Sequence, residues 1–245
     1  MSFGNFTVIE SVYGPFIVNR YCAYQAEALV KTGRPHIEAE LQHILKLVDT
    51  LPQNCVIVDA GANIGLISIP VAHAVAKKSG IVHAFEVQRM MSYALSGAIA
   101  LNDLENLHVH RRGLGAARAV LKVPRVNYGV AQDFGMVSLV KQAEITVFET
   151  VEIVTVDELG LPRLDFLKVD VEGMEIDVLR GARRTMEAHQ PWGWIEHWKV
   201  DPRMIKQQFA GLNYKFFEAD KLNMLCAPVA RLAKDGIKID APEIV

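Results

Sequence analysis

The chain has 245 residues, 51% hydrophobic and 22% charged, with a formal net charge of −2 and a pI near 6.4. That is enough apolar sequence for a core in one large or two small domains. The near-neutral balance argues against bulk electrostatic capture by nucleic acid or an acidic membrane surface.

Phe6, Val8, Phe16 and Val18 alternate on either side of a Tyr13-Gly14-Pro15 turn, which predicts a β-hairpin within Phe3–Arg20. Tyr21–Gly33 is ambiguous, with a helical turn at Ala26–Val30. Ile37–Thr50 is an amphipathic helix, with Ile37, Leu41, Ile44, Leu45 and Val48 on one face. Residues 1–50 carry too few apolar side chains for a core of their own. They are read as an extension packed on a main domain of residues 51–245. That domain opens with Cys55–Val58, a short, mostly β-branched stretch that predicts a buried parallel strand. Asp59 ends the strand, Gly61 and Gly65 bracket a tight turn, and Ile64–Ala76 reads as a helix that Pro70 kinks or delays. Ile81–Phe85 is the next strand, ending at Glu86. Met90–Asn102 is a helix and Leu107–His110 a third strand.

From Ala119 to Val156 the alternation breaks. Val120–Val123 and Val151–Val156 read as strands around an insertion at about 119–150, expected to form a substrate lid with Tyr128 and Phe134 as aromatic cover. Leu164–Val169 is the fourth core strand, followed by Asp170, Glu172 and a helix from Met174 to Arg180 that Gly181 stops. Ala182–His189 is a short helix, and Trp192–Ile195 the fifth strand, ending in Glu196-His197. Asp201-Pro202 starts a helix reaching Ala210. Tyr214–Glu218 and Leu222–Ala227 close the domain as an antiparallel pair.

Cys22, Cys55 and Cys226 are odd in number and widely spaced, so they make neither a disulfide framework nor a zinc pattern, and a reducing cytoplasm is expected. Met1–Tyr13 lacks the basic-then-apolar order of a signal peptide. The longest apolar segment, Ile64–Ala76, is too short for a bilayer.

Strand, glycine turn and helix hold a nucleotide-like ligand at the carboxyl edge of a sheet. The spacing separates two ligands. A dinucleotide fingerprint is G-x-G-x-x-G, whereas here the glycines of G-A-N-I-G stand four apart, with Asp59 two residues before the first. A carboxylate there repels a pyrophosphate but accepts hydrogen bonds from an ammonium group. Glu86, 21 residues after Gly65, is placed to accept both hydroxyls of a ribose. S-adenosylmethionine carries both groups, and the spacing argues against the rival class, an NAD-dependent oxidoreductase. On the plain structural alternative Asp59 caps the following helix and Gly61 only makes the turn. Gly113 and Leu114, beyond the third strand, are candidates for the adenine side.

Seven segments carry a resemblance: V-D-A-G-A-N-I-G (58–65), H-A-F-E (83–86), A-L-N-D-L-E-N-L (100–107), F-G-M-V-S-L (134–139), T-V-D-E-L (155–159), F-L-K-V-D-V-E-G-M-E-I-D-V-L-R-G-A (166–182) and W-I-E-H (194–197). Over most of residues 55–197 they resemble the FkbM family of S-adenosylmethionine-dependent methyltransferases. The resemblance implies an α/β, Rossmann-like class I methyltransferase fold with a seven-stranded, mostly parallel sheet and a C-terminal antiparallel pair. It implies Asp59, Gly61, Asn63 and Glu86 around the cofactor. With their neighbours, the expected cofactor set is Asp59, Gly61, Ala62, Asn63, Gly65, Glu86, Gly113, Leu114, Asp170 and Glu172. The family usually has proline after the second strand's glutamate. Val87-Gln88 here departs from that, loosening the loop below the ribose. O-methylation of a sugar or small-molecule hydroxyl is the implied chemistry.

Methyl transfer is an in-line displacement in which the acceptor loses a proton, so alignment and a base both matter. Asp170, Glu196 and His197 end neighbouring predicted strands and form the candidate catalytic group, with His197 or Asp170 as base. Alternatively the three hold Mg²⁺ or another divalent ion, or Asp170 and Glu172 merely cap the Met174 helix. A small-molecule or glycan substrate is the expected partner, with no nucleic acid and no membrane. A non-catalytic binding or assembly module is the competing function class.

Overall fold

The computed structural model describes residues 4–131, 134, 147–235, 239 and 241–244. The chain begins with the expected hairpin, β1 (Phe6–Ile9) and β2 (Phe16–Asn19), paired antiparallel. Helices α1 (Ala23–Thr32) and α2 (Glu38–Asp49) follow, so the ambiguous segment is a full helix. On α2 the side chains of Leu41, Ile44, Leu47 and Val48 are buried.

The central elements are β3 (Val56–Ala60), α3 (Ser68–Ala76), β4 (Ile81–Phe85), α4 (Arg89–Leu101) and β5 (Leu107–His110). Helix α3 starts four residues later than the apolar pattern suggests. Pro70 thereby falls in its first turn, where a missing N–H costs nothing. Next come β6 (Gly113–Leu114), β7 (Ala119–Pro124) and β8 (Phe148–Val154). The flanks of the expected insertion are a hairpin: β7 and β8 pair antiparallel from Ala119↔Ile153 to Pro124↔Phe148, and β6 adds to β8 in parallel. Most of the expected lid, 132–133 and 135–146, lies outside the described residues, and so does most of F-G-M-V-S-L.

The chain then runs through β9 (Phe166–Val169), α5 (Glu175–Gly181), α6 (Arg183–His189), β10 (Trp192–Glu196), α7 (Pro202–Gln208), β11 (Tyr214–Glu218), β12 (Asn223–Pro228) and α8 (Val229–Asp235). Asp201 caps α7, accepting from the Arg203 backbone N–H at 2.8 Å as expected. The stop assigned to Gly181 is a correction: it is the last residue of α5, and a Cβ there would sit 1.9 Å from the Gly115 carbonyl oxygen. The glycine serves close packing of helix on loop, and the chain continues almost directly into α6.

The main sheet has seven strands in the order β11-β12-β10-β9-β3-β4-β5. Only β12 runs against its neighbours. Strands β3, β9 and β10 are buried on both faces, so alternate residues feed two cores. Ile57, Phe166, Trp192 and Trp194 pack with Phe16, Ile44 and Val48 of the N-terminal layer. Val58, Leu167, Val169 and Ile195 pack on the other face with Leu179, Met186 and Phe209. Asp59 and Lys168 are register partners in adjacent strands and share the parity of the first face. Two ionisable side chains thus lie side by side inside the sheet, under the N-terminal layer. Among the described residues, no helix is long and apolar enough to cross a membrane.

Candidate active site

Parallel strands end together, so the carboxyl edges of β3, β4, β9 and β10 open onto one cavity. Its floor is the turn after β3. Gly61 there has φ +85°, and a Cβ would come 1.7 Å from the Asp170 carbonyl oxygen. The glycine is therefore required by the neighbouring strand end as much as by any ligand. Ala62 and Asn63 line the cavity beside it. Gly65 does not: a Cβ there would meet Leu95 Cδ1 at 2.4 Å, so it serves helix packing.

Glu86 also lines the cavity, and its carboxylate accepts the backbone N–H of Asn63 at 2.8 Å and of Gln88 at 2.7 Å, one on each oxygen. Burial pushes its pKa up to about 7, against the pull of those two N–H groups. A carboxylate has about four lone-pair sites, so each oxygen keeps one for a ribose hydroxyl. The residues present fit the nucleoside end of S-adenosylmethionine. Gly113 and Leu114 line the adjoining wall. Tyr128 and Phe134 do not cover the cavity. Phe134 is fully buried, its ring 5.1 Å from that of Tyr128, and its carbonyl accepts from Gln88 Nε2 at 2.6 Å. They brace the wall behind Gln88.

Asp59 does not line the cavity. It is 2% exposed, accepts from Ser68 Oγ, and faces Lys168 Nζ at 3.1 Å. Nor does it cap α3, whose N-cap is Ile67. Lys168 is the residue that the sequence reading passed over. Its ammonium group also lies 3.5 Å from Asp170 and donates to the Gly61 carbonyl at 3.2 Å. Burial works against its charge, but Asp59, Asp170 and Glu40 outweigh it and raise its pKa above the ordinary lysine value. Lys168 therefore ties β3, the glycine turn and the end of β9 together as a permanent cation.

Asp170 and Glu196 line the cavity next to Lys168; His197 does not, and its backbone N–H donates to the Leu222 carbonyl at 2.7 Å. Burial, then the charge of Asp170, pushes Glu196 up to about 8. Glu172 lines the cavity and pairs with Lys199. Neither Asp170 nor Glu172 caps α5, whose N-cap is Met174 with no side-chain bond to it; Glu175, its first residue, instead holds the preceding turn, accepting the backbone N–H groups of Val171 at 3.1 Å and Gly173 at 3.0 Å. Among the described residues no three His, Cys, Asp or Glu side chains are grouped to hold a metal ion, so Asp170, Glu196 and His197 form no metal set. The opposite wall comes from the N-terminal layer, through Tyr24, Gln25, His36, Ile37 and Glu40, none of which the sequence pattern marked as a site residue.

This strand order, with its cavity at the carboxyl edge, is the Rossmann-like fold of class I methyltransferases. A solved structure of methyltransferase FkbM from Methylobacillus flagellatus superposes with a TM-score of 0.53 at 18% identity, covering 86% of this chain and 55% of that one. Trm5b from Pyrococcus abyssi gives a TM-score of 0.51 at 12% identity, covering 92% and 56%. Residues 59–220 match the methyltransferase FkbM domain, and the chain belongs to that family. A curated relative, methyltransferase sdnD of Sordaria araneosa, is 28% identical over 183 residues, 62% of this chain and 66% of its own length. The chain thus spans about two thirds of that relative and just over half of the two solved structures.

Proposed function

We propose that the chain is an S-adenosylmethionine-dependent methyltransferase acting on a hydroxyl of a sugar or other small molecule. The observation that carries this reading is Glu86, a buried carboxylate at the end of β4 with a lone pair free on each oxygen, facing the same cavity as Asp170 and Glu196. Membership of the FkbM family and the likeness to methyltransferase sdnD support the reaction class. When bound, S-adenosylmethionine supplies a methyl group on a positively charged sulfur.

The chain's own contributions divide along the cavity. Glu86 orients the ribose, and Gly113 and Leu114 border the base. Asp170 and Glu196 face the far end, where the negative charge of Asp170 suits a cationic sulfur. Glu196, raised to about 8 by burial and by Asp170, keeps its proton through neutral pH. The test is titration calorimetry with S-adenosylmethionine and S-adenosylhomocysteine. Micromolar binding by the wild type, weakened at least about tenfold in Glu86→Ala (about 1.4 kcal/mol), is the expected result. A folded wild-type protein that binds neither ligand overturns the proposal.

A further inference from the structure

The cavity's acidic end contains a group supplied from outside the segment that matches the family. Glu40 lies on α2, before the 59–220 match, yet it lines the same cavity as Asp170 and Glu196. Its Oε1 accepts from Trp194 Nε1 at 3.0 Å, which locks the side chain against the face of β10. Trp194 is the register partner of Lys168 in the adjoining strand. Glu40 therefore stands over the strand ends that carry Lys168, Asp170 and Glu196.

Charge at this end is unbalanced. Among the described residues that line this end, Lys168 is the lysine, and it is already engaged by Asp59 at 3.1 Å and Asp170 at 3.5 Å. An anionic acceptor brought here would face Asp170 and the carboxyl groups of Glu40 and Glu196 beside a lysine that is already paired. Arg112, which lines the nucleoside end, is paired with Glu152 at 3.1 Å.

We infer that Glu40 is the proton acceptor for an uncharged hydroxyl acceptor, delivered to the methyl-transfer end of the cavity by the N-terminal layer. The inference rests on the methyl-transfer reading above. In the step, the acceptor oxygen forms its bond to the methyl carbon. The carbon–sulfur bond breaks with both electrons going to sulfur, and the hydroxyl proton passes to the Glu40 carboxylate and then to solvent. Burial pushes Glu40 up to about 7, with Lys168 and the Trp194 N–H pulling it down and Asp170 and Asp220 pushing it further up. Glu196, also facing Glu40, is raised by burial and by Asp170 and Glu175. Tyr24, Gln25 and His36 complete the wall on the N-terminal side.

Glu40→Gln is the informative variant, because the amide oxygen still accepts from Trp194 and the fold is kept. Protein carrying ¹³C at its glutamate carboxyl carbons is saturated with S-adenosylhomocysteine and titrated by NMR. The resonance lost in Glu40→Gln should have a midpoint above pH 6 in the wild type, and the Glu196 midpoint should fall in the variant. S-adenosylhomocysteine affinity should stay within twofold. With labelled S-adenosylmethionine and neutral methyl glycosides as probes, kcat should drop at least tenfold and recover in part in Glu40→Asp. The corresponding uronic acids and sugar phosphates should be poor acceptors for the wild type.

Normal S-adenosylhomocysteine binding with an ordinary Glu40 midpoint, or with equal turnover by Glu40→Gln, overturns this inference alone. So does transfer to the anionic probes in preference to the neutral ones, or to no neutral glycoside. A wild type that fails to bind S-adenosylhomocysteine removes the methyl-transfer reading, and this inference with it.

Discussion

Replacing Lys168 with methionine tests the claim that one buried cation holds the sheet edge together. Methionine matches the lysine stem in length, so packing is largely kept and the charge is what is lost. Asp170, 38% exposed at its side chain, can turn to water and contributes little. Asp59 cannot: at 2% exposure it would keep only the Ser68 hydroxyl. Removing one partner of a buried ion pair costs about 3–5 kcal/mol, because the other charge is left uncompensated. In a chain of this size that lowers Tm by roughly 6–20 °C, at about 2–4 °C per kcal/mol. Thermal and urea unfolding followed by circular dichroism would measure it. Adding Asp59→Asn to Lys168→Met should recover a substantial part of the loss, since the orphaned charge goes too. A loss below about 1 kcal/mol, or no recovery in the double variant, would refute the reasoning.

Gly181→Ala should destabilise the protein by more than 1 kcal/mol in urea unfolding, although alanine is the better helix former by about 1 kcal/mol, because its Cβ would overlap the Gly115 carbonyl. If Gly181 merely stopped a helix, the variant would be neutral or stabilised. The stability of the ligand-free protein should also depend on pH through Glu40, Glu86 and Glu196. Their folded pKa values are raised from 4.5 to about 7, 7 and 8. The native state therefore binds these protons more tightly than the unfolded chain does, so their contribution is full below pH 4.5 and is lost as pH rises to 8. Urea midpoints measured from pH 5 to pH 8 should fall, and should fall less steeply in Glu40→Gln.

The parallel core was legible because its strands are short, apolar and bounded by glycine or acid; their order in the sheet, which reverses direction at β3, was not read from the pattern. The place of Glu86 on the cavity was legible because it is the residue just beyond the end of a buried strand, β4. Lys168 left a signal that the strand pattern absorbed. A lysine inside F-L-K-V, in a strand with no solvent face, must have a buried partner, and Asp59 is its register neighbour. Glu40 left no such signal. On an amphipathic helix the polar face is assigned to water by default, and only tertiary packing shows that part of it is turned onto another segment's cavity. The Lys168 partner of Asp59 was not legible, because an acid at a strand end looks the same whether its carboxylate meets a ligand or a lysine. Gly181 was misjudged because a glycine at a helix end looks alike whether it frees a dihedral angle or makes room for a carbonyl.

The wall formed by α1 and α2 has a consequence for how such enzymes diversify. The wall around Glu86, Gly113 and Leu114 lies in the segment that matches the family, while Tyr24, Gln25, His36, Ile37 and Glu40 of the opposite wall lie in the first forty residues. On the proposed reading, variation in that leading stretch would alter the acceptor side and leave the cofactor side untouched. Swapping residues 1–50 between two members would then be expected to carry acceptor preference with it as a cassette.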